Sequence, residues 1–435
     1  MITQQEYLSR RNKLAEKMEE NSIALIPAAT EFLRSGDTHF RFRQNSNFYY
    51  LTGFNEPDAL LVISNGKKSK SFLFNRSKNP AEEQWTGRRL GQEEASEVLG
   101  VDEAWPIESF AEKCAEILSN KSAIYYEFGL PPKFEKQIMQ NLQKIKQQAR
   151  RGIHAPDTIC DLTPLLSELR LFKSEKEIEI MRRAANISVE AHKQAMRRCR
   201  HLKYEYQLEA ELLYEFTRQG CRGVAYDPIV GSGSNTCILH YTENNQLLKN
   251  GDLVLIDAGG EYHNYAADIT RTFPVNGRFN DEQRAIYELV LRAQKAGINL
   301  IKPGVAWNEI QKTMVEVLVR GLTELGLLSG KMDELIANET YKTFYMHNSG
   351  HWLGLDVHDC GAYKIDNKWR LLEPGMVLTV EPGIYVPAHL ENVDERWWNI
   401  GIRIEDDVLV TPDGHENLTA ELPVEIDDIE ALMRD

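Results

Sequence analysis

Apolar positions recur with a helical period over residues 4–18 and again over 132–147, whereas residues 22–27, 59–63 and 71–75 are short apolar runs bounded by turn formers, as strands are. Roughly the first 170 residues therefore read as an α/β unit. A polar, basic stretch, Gln148-Ala-Arg-Arg-Gly152, leads into a connection containing Pro156 and Pro164, and Ser174-Glu-Lys-Glu177 has the S-x-x-E form of a capping box. A domain boundary placed there gives an N-terminal domain of residues 1–173 and a C-terminal domain of residues 174–435. Beyond it the spacing predicts a helix to about residue 200, a second over 204–218, and short strands around 225–230 and 253–256. Two more helices, 281–301 and 305–325, precede strands at 376–380 and 400–410. The order helix, helix, strands occurs twice, as a duplicated half would produce, although no residue repeat is strong enough to establish one.

Composition narrows the function. A chain of 435 residues, 42% hydrophobic and 27% charged, is long enough for two buried cores. Asp and Glu outnumber Lys and Arg by 65 to 51, a formal charge of -14, and no long basic run is present to neutralise phosphates, so nucleic acid is excluded as the expected partner. Glu6 and Arg10 interrupt the N-terminus where a secretory signal needs an apolar run, and no stretch approaches about 18 consecutive apolar residues, so a cytoplasmic protein is expected. Six scattered cysteines (Cys114, Cys160, Cys199, Cys221, Cys237 and Cys360) form no C-x-x-C pair and read as free thiols.

The chain lacks H-E-x-x-H, G-x-S-x-G, Walker and G-x-G-x-x-G signatures. Its chemistry must rest on another arrangement. Asp257 ends an apolar strand and Asp268 begins another, with Gly259, Gly260 and His263-Asn264 as turn material between, so a hairpin would bring the two carboxylates together. Like charges that close stay ionised only around a cation; otherwise one takes a proton. Glu381 closes a further apolar strand, and Glu405 lies in the alternating run Ile402-Arg-Ile-Glu, where period-two geometry sets it on one face with Arg403. Singly, each acid has a structural explanation: Asp268 and Glu405, for instance, could pair with Arg271 or Arg403. With His351 the set becomes two Asp, two Glu and one imidazole, an oxygen-rich shell suited to a pair of divalent ions such as Mn(2+). A water shared by such ions becomes a hydroxide near neutral pH and attacks a polarised amide carbonyl.

Leu-Ile-Asp-Ala-Gly, Asp-Ile-Thr-Arg-Thr-Phe-Pro, His-Trp-Leu-Gly-Leu-Asp-Val-His-Asp, Val-Glu-Pro-Gly and Gly-Ile-Arg-Ile-Glu-Asp follow in that order. Together these segments resemble the pita-bread metallopeptidases, more narrowly the aminopeptidase P (Xaa-Pro aminopeptidase) family, along nearly the whole chain. The resemblance implies an α+β fold: a C-terminal pita-bread (creatinase/aminopeptidase) domain with a smaller N-terminal α/β creatinase-like domain. It implies two divalent metal ions held by Asp257, Asp268, His351, Glu381 and Glu405, with Glu381 also the general base. It places His240 and His358 at the scissile carbonyl or its oxyanion, His347 beside a proline pocket, and Tyr385 and Arg403 among the hydrogen bonds around the carboxylates. In the N-terminal domain Asp37, the run from Arg43 to Glu56, and Trp85-Thr-Gly-Arg-Arg-Leu-Gly91 also match. Residues like Trp85 reach a neighbour's active site in the family, which implies a homo-oligomer, a dimer or tetramer. The implied activity is removal of the N-terminal residue from peptides whose second residue is proline. The alternatives are prolidase, which cuts only Xaa-Pro dipeptides, and a non-catalytic peptide- or protein-binding module on the same fold. Two stretches depart from many relatives, His347-Asn-Ser-Gly350 and Arg396-Trp-Trp-Asn399, and both bear on pocket shape rather than on ligands.

Overall fold

The computed structural model describes residues 1–130 and 132–434. Packing divides the chain into two units, one ending at Arg170 and one beginning at Leu171. In the first, the described residues form a six-stranded sheet in the order Glu103–Pro106, Lys70–Asn75, Leu60–Ser64, Ile23–Pro27, Ala123–Tyr126, Thr158–Asp161. The three central strands pair antiparallel and the outer ones join parallel, so the sheet is mixed. Its central strands are nearly continuous apolar runs because both faces are covered, one by residues such as Phe110, Leu118 and Ile138. Apart from that core, a small hairpin, Leu33–Ser35 with Thr38–His39, stands exposed.

The second unit starts with the helix Glu175–Cys199, and the capping box predicted for it is present: Ser174 Oγ accepts from the Glu177 N–H, and Glu177 accepts from the Ser174 N–H. Glu205–Arg218 packs beside it, and Asp281–Leu300 beside Trp307–Glu324. Each helix pair covers antiparallel strands. One sheet runs Ile229–Ser232, Leu253–Asp257, Thr270–Pro274, the other Val377–Val380, Asp406–Thr411, Gly414–Asn417. A single core joins helix residues such as Met196, Leu212, Val290 and Leu318 to strand residues such as Ile256, Phe273 and Ile402. A fully buried leucine such as Leu318 contributes about 1.5–3 kcal/mol relative to an exposed one. Among the described residues no helix is long and apolar enough to cross a membrane.

Three local expectations change. The strand expected over 225–230 is two short ones, Gly223–Val224 and Ile229–Ser232, with a break at Ala225-Tyr-Asp-Pro228 where proline removes a donor. The strand expected over 400–410 is also two, Ile400–Arg403 and Asp406–Thr411. The first pairs with Gly383–Val386 and the second with Val377–Val380, so the chain changes partner at Ile404-Glu405. Asp268 precedes its strand instead of beginning it, since Asp257 stands opposite Thr270. The hairpin between the two acids does form, its turn at His263-Asn264, both with positive φ as a type I′ turn requires.

Candidate active site

Four strand ends and one loop converge on a cavity of about 620 Å³ lined by Asp257, Asp268, His351, Glu381 and Glu405. Asp257 is the last residue of Leu253–Asp257, fixed by the flanking strands. Asp268 is brought beside it by a close approach: a Cβ on Gly259 would lie 1.7 Å from the Ala267 carbonyl oxygen, so only glycine lets the hairpin base close. Glu405 sits at the break between strands, where its N–H donates to the Thr270 carbonyl at 3.0 Å and its Oε2 accepts from the Thr270 hydroxyl at 2.7 Å. The Glu381 N–H donates to the Ser349 carbonyl and the Thr379 N–H to the His351 carbonyl, both at 2.9 Å, which aligns the loop carrying His351 with the strand leading to Glu381. Gly350 is needed for that alignment, since a Cβ there would meet the Thr379 carbonyl at 2.1 Å.

The polar atoms face inward. Donor atoms of Asp268, His351 and Glu405 all lie within 4.8 Å of one another, and His351 Nε2 is 3.3 Å from Asp268 Oδ2 and 3.7 Å from Glu381 Oε1. His351 Nδ1 lies 3.0 Å from the Trp352 carbonyl and donates to it, which turns Nε2 toward the acids. Arg403 donates to Asp257 Oδ2 at 2.6 Å and to the Tyr385 hydroxyl at 2.9 Å. The Tyr226 hydroxyl lies between Asp257 Oδ1, at 2.5 Å, and Asp268 Oδ1, and donates its one proton to one of them at a time.

The electrostatics follow from burial. Asp268 and Glu405 are pushed above the usual carboxyl range by desolvation and by each other's neighbours, and Glu381 rises to about 7 for the same reasons. Desolvation opposes charge on His351 as well, but its contact with Asp268 and the charge of Glu381 carry it up to about 9. Five carboxyl groups line the cavity, Asp227 with the four converging acids, against one guanidinium, Arg403, and of its four imidazoles His351 is the one raised by the acids. That shortfall of positive charge, in a set of hard oxygen donors with one oriented nitrogen, fits divalent cations: the donors suit them, and their charge would let every acid ionise.

The remaining expected residues divide. His240, His347, His358 and Arg403 line this cavity. His358 packs edge-on against His351, ring centroids 4.4 Å apart, and burial together with the His351 charge lowers its pKa. His347 is lowered to about 4 by burial and by Arg403. Its Nδ1 is 2.7 Å from the Asn348 carbonyl and its Nε2 2.9 Å from the Tyr385 hydroxyl, so the ring is neutral with Nδ1 protonated. Tyr385 is fully buried and acts on the cavity through Arg403 and His347. Asp37, at the tip of the small hairpin, and Trp85, 88% exposed, belong to the N-terminal unit and do not line it. Of the two unusual stretches, His347-Asn-Ser-Gly350 reaches the cavity and Arg396-Trp-Trp-Asn399 does not.

Two residues were not anticipated. Tyr226 bridges two acids from the strand break before Pro228, and the sequence offers only an isolated tyrosine there. Glu205, fully buried, gathers five hydrogen bonds around the loop carrying His240, yet reads in sequence as an ordinary helix-start acid.

Residues 179–412 match metallopeptidase family M24, and residues 7–125 match the aminopeptidase P N-terminal domain. The chain belongs to metallopeptidase family M24. Within that family it is 48% identical over 434 residues to the Xaa-Pro aminopeptidase of Escherichia coli (strain K12), covering 99% of this chain and 98% of that protein. The structure of Pseudomonas aeruginosa aminopeptidase PepP, 48% identical, superposes with a TM-score of 0.98 over 100% of this chain and 98% of that one. Zn-substituted E. coli aminopeptidase P in complex with product, 47% identical, does so with a TM-score of 0.97 over the same shares. The fold is accordingly the two-domain M24 architecture, a pita-bread domain preceded by an aminopeptidase P N-terminal domain.

Proposed function

We propose that the chain is a metal-dependent Xaa-Pro aminopeptidase, releasing the N-terminal residue from peptides with proline in second position. The observation that carries the reading is the convergence of four acids and His351, with His240, His347 and His358, in one cavity of a member of this family. Asp257, Asp268, His351, Glu381 and Glu405 would hold two ions, manganese in our reading. When bound, such ions supply a polarised scissile carbonyl and a water acidic enough to attack near neutral pH.

The chain's own residues do the rest. Glu381, ionised once the cations offset the charge of the acids around it, takes a proton from the attacking water and returns it to the departing nitrogen. That return is required, because the proline nitrogen leaves as a secondary amine and its tertiary amide offers no N–H to hold on to. His240 and His358 donate to the oxygen that gains charge. The neutral ring of His347, braced by Tyr385, forms a flat wall for the proline ring. We further propose a cytoplasmic homo-oligomer, dimer or tetramer, in which the exposed Asp37 and Trp85 serve a neighbouring subunit. Turnover of Xaa-Pro-Yaa against Xaa-Ala-Yaa peptides tests the activity: equal rates would refute proline selectivity, and cleavage of Xaa-Pro without Xaa-Pro-Yaa would make the enzyme a prolidase.

A further inference from the structure

Ser349 stands midway between His347 and His351, in one of the two stretches that depart from many relatives. It is buried, and each of its polar groups is committed. Its N–H donates to Gln311 Oε1 at 2.6 Å, its hydroxyl donates to the same oxygen, and its carbonyl accepts the Glu381 N–H at 2.9 Å. The Tyr345 hydroxyl completes the set at Ser349 Oγ.

The direction of these bonds follows from the one fixed donor. A backbone N–H can only donate, so the Gln311 atom facing Ser349 is the amide oxygen and not the amide nitrogen. That oxygen carries no proton, so the Ser349 hydroxyl gives its own to Gln311 and accepts from Tyr345. Tyr345, fully buried, thereby has the acceptor that a buried phenol needs. The chain of donors runs from Tyr345 through Ser349 and ends on a single side-chain oxygen.

Both ends of that chain are anchored. Gln311 projects from the helix Trp307–Glu324, whose Ile310, Met314, Val315 and Leu318 are buried in the core. Tyr345 packs edge-on against His347, ring centroids 4.9 Å apart. On the opposite side the His351 N–H donates to the Thr379 hydroxyl at 3.1 Å, from the strand Val377–Val380. The loop is thus held between a strand and a helix, and its grip on the helix passes through Gln311. Neither Gln311 nor Ser349 lines the cavity of the acids.

We propose that Gln311 is a positioning residue for the metal-binding cavity. Acting through Ser349, it sets the loop that presents His347 and His351, and through the Ser349 carbonyl it sets the backbone of Glu381. The inference rests on the aminopeptidase reading, in which His351 and Glu381 hold ions and Glu381 is the base. Without the acceptor, the buried Ser349 N–H is left unpaired and the loop shifts to find another, carrying His351 and Glu381 with it. Groups that orient metal ligands in this way are worth about 10–100-fold in metal affinity or activity.

The test uses three full-length variants. Gln311→Met keeps the length and apolar stem but removes the acceptor, Gln311→Glu keeps an acceptor oxygen, and Ser349→Ala removes the hydroxyl while keeping the N–H. Isothermal titration of the metal-stripped protein with manganese should show affinity about tenfold weaker in Gln311→Met, a smaller loss in Ser349→Ala, and Gln311→Glu within about threefold of wild type. At saturating manganese, kcat on an Xaa-Pro-Yaa tripeptide should fall in the same order, with KM changing less than about threefold. Combining Gln311→Met with Ser349→Ala should weaken manganese binding no further than Gln311→Met by itself, since both break one chain of bonds. A Gln311→Met protein with a lowered melting temperature but wild-type manganese affinity and kcat would make the residue merely structural and overturn the proposal. Gln311→Glu as impaired as Gln311→Met, or additive losses in the double variant, would do the same. Failure of the wild type to cleave the tripeptide would count against the aminopeptidase reading, and the manganese titration would still decide the role of Gln311.

Discussion

Replacing Glu205 by glutamine changes one atom and should loosen one side of the active site. Glu205 opens the helix Glu205–Arg218 and is fully buried. Its Oε1 accepts from the Ser232 N–H at 2.7 Å, the Ser232 hydroxyl at 2.8 Å and Asn235 Nδ2 at 3.1 Å, and its Oε2 from the Tyr241 hydroxyl at 2.8 Å and the Gln246 N–H at 2.9 Å. These partners flank His240 on both sides, so one carboxylate ties down the loop that carries it. In Glu205→Gln the new amide nitrogen can take either place. At Oε1 it would confront two obligatory donors, Ser232 N–H and Asn235 Nδ2. At Oε2 it confronts only Gln246 N–H, because the Tyr241 hydroxyl can turn and accept, so the second orientation wins. One buried N–H is then left without its acceptor, about 1–3 kcal/mol, and the remaining bonds lose their charge assistance. The expected result is about 2–3 kcal/mol off the stability of the catalytic unit and, with the His240 loop released on one side, about a tenfold lower kcat with a smaller change in KM. Denaturant unfolding and steady-state kinetics on an Xaa-Pro-Yaa peptide measure both. Tyr241→Phe removes one of the five bonds and should fall between wild type and Glu205→Gln. A Glu205→Gln enzyme with wild-type kcat and an unfolding free energy within about 0.5 kcal/mol of wild type would refute the reasoning.

Two further outcomes follow from the same structure. Chelation should abolish hydrolysis and added manganese restore it, whereas Asp268→Ala should stay inactive with manganese added and show lost ion on metal analysis; an Asp268→Ala protein that keeps its function would favour the non-catalytic module instead. His192 is fully buried, its Nε2 2.9 Å from the Ala258 carbonyl and its Nδ1 without a partner, and burial lowers it to about 4. Since the folded pKa lies below the unfolded value of about 6.5, the neutral ring's contribution is complete above that value and fades as pH falls toward 4, amounting to about 2 kcal/mol lost by pH 5. His192→Gln should flatten the decline of the melting temperature between pH 7 and 5, and an unaltered slope would count against it.

What could be read from the sequence was whatever is decided locally. The helix Glu175–Cys199 begins at Ser174 because its capping box is self-contained, and the turn at His263-Asn264 forms because those residues tolerate positive φ wherever they stand. Strand boundaries in the second half were less legible, because they depend on partners: no local signal near Ile404-Glu405 says that Arg403 belongs with Gly383–Val386 while Asp406 belongs with Val377–Val380. The same limit applies to the site. Spacing alone allowed Asp268 and Glu405 to be ordinary partners of Arg271 or Arg403, and it took the order of five motifs to set them together. The structure shows why the arginines do not serve: Arg271 is committed to Asp406 at 2.7 Å and Arg403 to Asp257 at 2.6 Å. Asp268 and Glu381 are thus left to His351, with the neutral ring of His347 also against Glu381, and a fold that keeps Asp268, Glu381 and Glu405 so poorly compensated needs positive charge from outside the chain.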